Sequence, residues 1–257
     1  MIVPAAWHIV HYHEVDSTQR VAAALVAAGV PGRTAVVAGR QTMGVGRKGD
    51  PWRDVPGASL LLTAILRPPW PRAAPVACYA MAAAVSVVEA VRDVAGADAA
   101  VSVKWPNDVL LGGRKVAGVL GDATWTGQKL EALRLGIGVN VGGTAEDFAA
   151  HDLPDATSIH AATGRDVTVE DALHALLARL AAWDDALSAG DRAGVVAAWR
   201  GAVGTVGQNV RVTLANGREL VGLATGVTEG GDLLLQVPGE RKPLALSAGS
   251  VQSVRPA

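Results

Sequence analysis

The spacing of apolar and polar positions changes several times along this chain, and each change predicts an element. Residues 8–15 read as a strand. Asp16, Ser17 and Thr18 then offer short oxygen-bearing side chains that cap a helix start. An alanine-rich helix is expected over 19–28, with Gly29 placed to end it. Residues 33–39 are valine-rich and strand-like. Residues 41–56, rich in Gly, Pro and charge, read as a long loop. A continuous apolar run over 59–66 predicts a buried strand, and 73–94 a long helix. Three strands follow at 101–105, 108–111 and 115–120, the last two joined by the two-residue turn Gly112-Gly113. Residues 130–141 form a further strand interrupted by glycines. Thr168 caps a helix that carries Leu173, Leu176, Leu177, Leu180, Trp183 and Leu187 on one face. Another helix is expected over 191–200.

From about Gly204 the pattern shortens. Strands at 210–212, 219–227, 233–237 and 251–254 are punctuated by Asn216-Gly217 and Gly230-Gly231. This predicts a small β-barrel after the α/β region.

Composition narrows the function classes. The formal net charge is −1, which excludes a bulk basic surface for nucleic acid. The single cysteine, Cys78, lies in an apolar helical stretch and reads as a buried thiol in a reducing compartment. No basic segment followed by an apolar run opens the chain, and no apolar run is long enough to span a bilayer. A soluble, cytoplasmic protein is expected. His8, His11 and His13 are expected to share one solvated strand face, without the ligand set of a metal site.

Chemistry concentrates in two places. Gly44-Val45-Gly46-Arg47-Lys48-Gly49 has the glycine spacing of a dinucleotide turn, but Asp50-Pro51-Trp52 does not open a helix. Its functional reading is an anion-binding loop, with Arg47 and Lys48 as charges and Trp52 covering a flat ring. Its plain reading is a solvated surface loop. The second place is Lys104-Trp105-Pro106-Asn107-Asp108 and its return strand through Lys115. Only five of 23 basic side chains are lysines, and two of them fall here. Lysine gives a compact charge suited to carboxylate and phosphate oxygens. Trp105 reads as core.

Taken together, these motifs carry a resemblance. The series Gln41-Thr42, Gly44-x-Gly46-Arg47-x-Gly49, Lys104-Trp105-Pro106-Asn107-Asp108, Arg114-Lys115-Val116-Ala117-Gly118 and Gly136-Ile137-Gly138-Val139-Asn140-Val141 resembles the biotin–protein ligases over nearly the whole chain. Asp16-Ser17-Thr18 and Gly231-Asp232-Leu233 fit the same family. The resemblance implies a class II synthetase-like catalytic domain followed by an SH3-like barrel. It implies two steps: biotin and MgATP give biotinyl-5′-AMP and pyrophosphate, and the biotinyl group then passes to a lysine of a carboxylase carrier domain. Ser17, Thr18, Gln41, Gly44, Lys115 and Gly118 are implied for biotin. Arg47, Lys48, Trp52, Lys104, Asn107, Asp108 and Asn140 are implied for ATP, with Asp108 on magnesium and Lys115, Arg47 and Lys104 as the catalytic charges. The chain departs from the family loop, Gly-Arg-Gly-Arg-x-Gly-Arg-x-Trp, at Val45 and Asp50. The carboxylate of Asp50 is expected to weaken loop closure unless Lys48 or Arg53 compensates.

The expected architecture is therefore α/β, a mixed sheet flanked by helices over residues 1–203, with the barrel over 204–257. The fifteen residues before Asp16 are too few for a helix-turn-helix, so no DNA-binding role is expected. A homodimer stays open. Two rivals remain: a lipoate–protein ligase, and a non-catalytic biotin or nucleotide sensor.

Overall fold

The computed structural model describes residues 7–69 and 74–257. A seven-stranded sheet organises the first region, in the order β1-β2-β3-β7-β6-β5-β4. β1 (His8–Tyr12) and β2 (Thr34–Ala38) are parallel, linked by α1 (Thr18–Ala27). Every other neighbouring pair is antiparallel, from β3 (Ser59–Leu66) through β7 (Lys129–Asn140) and β6 (Arg114–Thr126) to β5 (Asp108–Leu111) and β4 (Val101–Lys104). The mixed sheet is the one the family resemblance implied. The predicted strands at 115–120 and 130–141 are the cores of a longer ribbon, β6–β7.

The apolar run of β3 is buried at all eight positions. Alternation explains this: Leu60, Leu62, Ala64 and Leu66 face the main core, and Ile65 faces a second, smaller cluster with Ala22, Val26 and Val36. The main core lies under α2 (Val76–Ala95), α5 (Val169–Ser188) and α6 (Arg192–Ala202). On the opposite face α1 covers only part of the sheet, over β2, β3 and β7. The uncovered part carries the site described below. Two short helices, α3 (Ala145–Ala150) and α4 (Ile159–Thr163), were not anticipated.

Local signals hold where backbone sterics decide. Gly112 and Gly113 have φ of 58° and 82°, the left-handed pair that a tight hairpin turn requires. Thr168 caps α5 through a reciprocal box with Asp171. Gly29 follows the end of α1 with φ 81°. The expected side-chain cap at the start of α1 is borne out at Asp16, whose Oδ1 accepts from Ser17 N at 2.6 Å, and corrected at Ser17. Ser17 stands at the N-cap with extended backbone, but its hydroxyl makes no capping bond. Gln41 does the work from across the fold, its Oε1 accepting from Thr18 N at 2.8 Å and from Thr18 Oγ1 at 3.0 Å. The first strand is shorter than predicted, ending at Tyr12, and strand alternation puts His8 and His11 on opposite faces. The helix predicted from 73 begins at Val76, and Ala73 lies outside the described residues. Cys78 is buried, as expected.

The C-terminal region is a five-stranded antiparallel sheet of order β11-β10-β9-β8-β12. It comprises β8 (Asn209–Leu214), β9 (Glu219–Val227), β10 (Leu233–Gln236), β11 (Leu244–Leu246) and β12 (Val251–Pro256). β11 was not predicted. Trp105, only 1% exposed, ties this sheet to the first domain. Its backbone N–H donates to Thr205 Oγ1 at 2.9 Å, and its indole Nε1 donates to Gly231 O at 2.8 Å. The core reading of Trp105 is thus right, with the addition that it is core shared between two domains. Trp105→Phe keeps most of the packing and removes the indole donor. Urea unfolding is expected to show a loss of about 1 kcal/mol with an unchanged m value.

Candidate active site

The site is built on glycines in register. Gly118 of β6 pairs with Gly138 of β7, and Leu120 with Gly136 two positions along. On the neighbouring strands Asp108 pairs with Gly118 and Lys104 with Asp108. Directly opposed residues share a face, so this row runs Lys104, Asp108, Gly118, Gly138 across the sheet. At Gly118 and Gly138 the row has no side chains and leaves a floor at the strip where α1 stops covering the sheet. A cleft partly open to solvent lies over it.

The loop predicted at 41–56 forms the cleft's lid. It closes on itself through Gly46 N to Asp50 O at 2.7 Å and Trp52 N to Gly44 O at 3.0 Å. Trp52 lies flat on the floor. A Cβ at Gly138 would collide with its six-membered ring, and one at Gly118 would stand 3.0 Å from its Cζ3. Lys115 Nζ sits 5.5 Å from the ring centroid, within cation–π range. The same Nζ is 2.7 Å from Asp108 Oδ1, with both side chains partly exposed. Two opposite charges therefore sit at one end of the cleft. Thr18 and Gln41, both uncharged, stand in the same lining.

Arg47 is where the structure says most beyond the sequence. Its Nη1 donates to Ala248 O at 2.7 Å and Val251 O at 2.9 Å, and its Nη2 donates to Gln252 O at 3.0 Å. The lid is thereby tied to the C-terminal sheet. Burial pulls this guanidinium below its ordinary value, while the nearby carboxylates of Asp108 and Asp50 pull it back up. Asp50, expected to oppose closure, acts on Arg47 with the attractive sign. Arg53 points elsewhere, 3.6 Å from Asp152.

This arrangement was then compared with known proteins. Residues 12–140 match the Biotin/lipoate A/B protein ligase family, and residues 205–252 match the Biotin protein ligase C terminal domain. The chain is 33% identical to the biotin–[acetyl-CoA-carboxylase] ligase of Paracoccus denitrificans, over 88% of this chain and 93% of that one. It is 31% identical to the bifunctional ligase/repressor BirA of Bacillus subtilis, over 89% of this chain and 69% of that one. Its fold superposes with a TM-score of 0.77 on the biotin protein ligase of Aquifex aeolicus in complex with biotin and ATP, at 26% identity and covering 97% and 99% of the two chains. The chain belongs to the biotin/lipoate protein ligase family.

Against that family's motifs, the structure sorts the expected site residues into three groups. Thr18, Gln41, Arg47, Trp52, Asn107, Lys115 and Gly118 line the cleft together. Asp108 and Gly44 touch lining residues, through Lys115 Nζ and the Trp52 backbone, and Ser17 adjoins Thr18 fully buried, its hydroxyl without a partner among the described residues. Lys104, Lys48 and Asn140 stand outside the lining. Asn140 is 3% exposed and its amide is engaged, Nδ2 donating to Thr157 O at 3.0 Å and Oδ1 accepting from Ser59 Oγ at 3.3 Å. It ties β3 and β7 to the segment before α4. Asn107 is likewise anchored, Nδ2 to Val119 O at 3.1 Å.

Gln19 and Gly136 line the cleft and were missed as site residues. The available signal for Gln19 was its place directly after Ser17-Thr18 in the first turn of a helix.

The contact of Trp52 with Gly138 is open to a double-mutant cycle. Gly138→Ala is expected to cost about 1–3 kcal/mol in the native chain, as overpacking does. In a Trp52→Ala background the same change is expected to cost less than about 0.5 kcal/mol. Equal costs in the two backgrounds, by chemical denaturation, would place the strain elsewhere.

Proposed function

We propose that this chain is a biotin–protein ligase. It joins the biotin carboxylate to the α-phosphorus of ATP and releases pyrophosphate. It then passes the biotinyl group from the resulting mixed anhydride to a lysine amine, with AMP leaving. The single observation that carries this reading is one cleft that gathers Thr18, Gln41, Arg47, Trp52 and Lys115 over the glycines of β6 and β7, with Asp108 paired to Lys115 beside it. Thr18 and Gln41 contribute uncharged polar groups, and Lys115 with Asp108 contributes charge.

The first step brings two anions together, so the barrier is largely electrostatic and positional. Lys115 supplies a compact cation at the end of the cleft, where the carboxylate and the reacting phosphate meet. Asp108 holds the ammonium in place until the substrates arrive. Arg47 holds the lid shut, and Trp52 gives the lid a flat apolar face toward the rings of the substrates. Lys104 and Lys48, outside the present lining, offer positive charge for the outer phosphates. Asn107 offers a polar group at the same end.

No group of three His, Cys, Asp or Glu side chains that could hold a metal occurs among the described residues. A single carboxylate beside the site fits magnesium that arrives on the substrate's phosphates, since this ion is bound by one or two carboxylates together with phosphate oxygens. Asp108 would hold it, and its charge would offset that of the phosphates. The acceptor in this reading is the carrier domain of a biotin-dependent carboxylase. The cytoplasm is its compartment, which the single unpaired thiol of Cys78 suits. No helix among the described residues is long and apolar enough to cross a membrane.

Biotin-dependent exchange of labelled pyrophosphate into ATP tests the first half-reaction. Exchange is expected with biotin and not with lipoate. Lys115→Ala is expected to lower exchange by about 100-fold or more while leaving the melting temperature within a few degrees. Near-normal exchange by a folded Lys115→Ala protein would remove that residue from the chemistry. Absence of exchange in a folded protein that binds biotin would favour a sensor.

A further inference from the structure

We propose that Gln19 is a specificity residue of this site, its side-chain carbonyl accepting a hydrogen bond from a ureido N–H of biotin. The proposal rests on the ligase reading and deepens it. Gln19 lies in the first turn of α1 and lines the cleft with Thr18 and Gln41. Its amide orientation is set by a neighbour. Nε2 donates to Leu120 O at 3.1 Å, so the other end of the amide is the carbonyl. That oxygen, Oε1, is buried and meets no donor among the described residues. Buried polar atoms are seldom left so, and each case asks what completes it.

The residue is held in place from several sides. Arg134 Nη1 donates to the backbone oxygen of Gln19 at 3.4 Å, and Arg134 is itself paired with Asp122. Gly136 makes the room, because a Cβ there would stand 2.5 Å from Gln19 Nε2. Three positions on β6 and β7 therefore shape the setting of one amide, and the atom they leave unsatisfied is an acceptor.

The rest of this end says what the missing donor belongs to. Gln41 Oε1 is taken twice by Thr18, so Gln41 has N–H groups to offer a ligand. Ser17 Oγ is a second buried group without a partner among the described residues, able to donate or accept. A donor on Gln41 and an acceptor on Gln19 in one lining, with the Ser17 hydroxyl buried next to Thr18, call for a compact ring bearing both C=O and N–H. A cyclic urea has both. A 1,2-dithiolane has neither, and would leave the Gln19 carbonyl unpaired, a strong basis for rejection.

The test is calorimetric titration of the full chain, as wild type and as Gln19→Met, with biotin, with its two ureido N-methyl isomers and with lipoate. Gln19→Met is expected to bind biotin about 10-fold or more weakly. It is expected to match wild type on lipoate and on the isomer methylated at the nitrogen facing Gln19. Gln19→Asn withdraws the amide by one methylene and is expected to give the same pattern, which serves if the methionine variant does not fold. Equal losses on every ligand would make Gln19 a packing residue and overturn the proposal. Biotin affinity within about twofold of wild type would also overturn it. A wild-type chain that binds no biotin would overturn the ligase reading itself, and the wild-type titration alone shows that outcome.

Discussion

A side chain at Gly138 would collide with the Trp52 ring, one at Gly118 would press on it, and one at Gly136 would strike the Gln19 amide. That steric constraint is what the rest of the site hangs from. Because β6 and β7 pair Gly118 with Gly138, the three glycines open one continuous strip rather than three isolated gaps. A flat ring can lie on such a strip, and polar groups from α1 can lean over its end. The sheet thus acts as a template whose informative feature is the absence of side chains at Gly118, Gly138 and Gly136. The core on its other face, under α2 and α5, keeps that row rigid.

Charge is then placed by reach. Lys115 extends toward Asp108 and over Trp52, so one ammonium faces a carboxylate and an aromatic face together. The arrangement holds a cation at the end of the cleft without burying it alone, which would be costly. Arg47 follows a different logic. It lines the cleft while its guanidinium donates to the main chain of the C-terminal region, where three carbonyls satisfy it.

Much of this was legible in the sequence, for reasons that differ by element. The run at Ser59–Leu66 announced a strand buried on both faces, and the Gly112-Gly113 pair announced its turn, because both are decided within a few residues. The cap on α5 was legible for the same reason. The side chains of the cleft were legible only through motifs, since no local rule relates Thr18, Gln41 and Lys115. What escaped was set by distant pairing. Ser17 has the chemistry of a cap, yet a glutamine 23 positions away from Thr18 supplies the bond. The glycines of β7 looked like interruptions of a strand until register aligned them with β6. Gln19 gave no sign of its orphan carbonyl, because that depends on Leu120, Arg134 and Gly136 arriving together. Arg47 gave no sign of its partners, which lie 201 to 205 positions away in the chain.

The acceptors of Arg47 carry a consequence for how this chain tolerates change. All three are main-chain oxygens, of Ala248, Val251 and Gln252, and none is a side chain. Replacing those residues alters no acceptor, so a side-chain change there reaches the lid only by disturbing the packing that sets the backbone path. The fastening is encoded in the path of the backbone there and in a single arginine. Its vulnerable changes are insertions, deletions and prolines in the turn leading into β12, whereas side-chain changes there act through packing, as at the fully buried Val251.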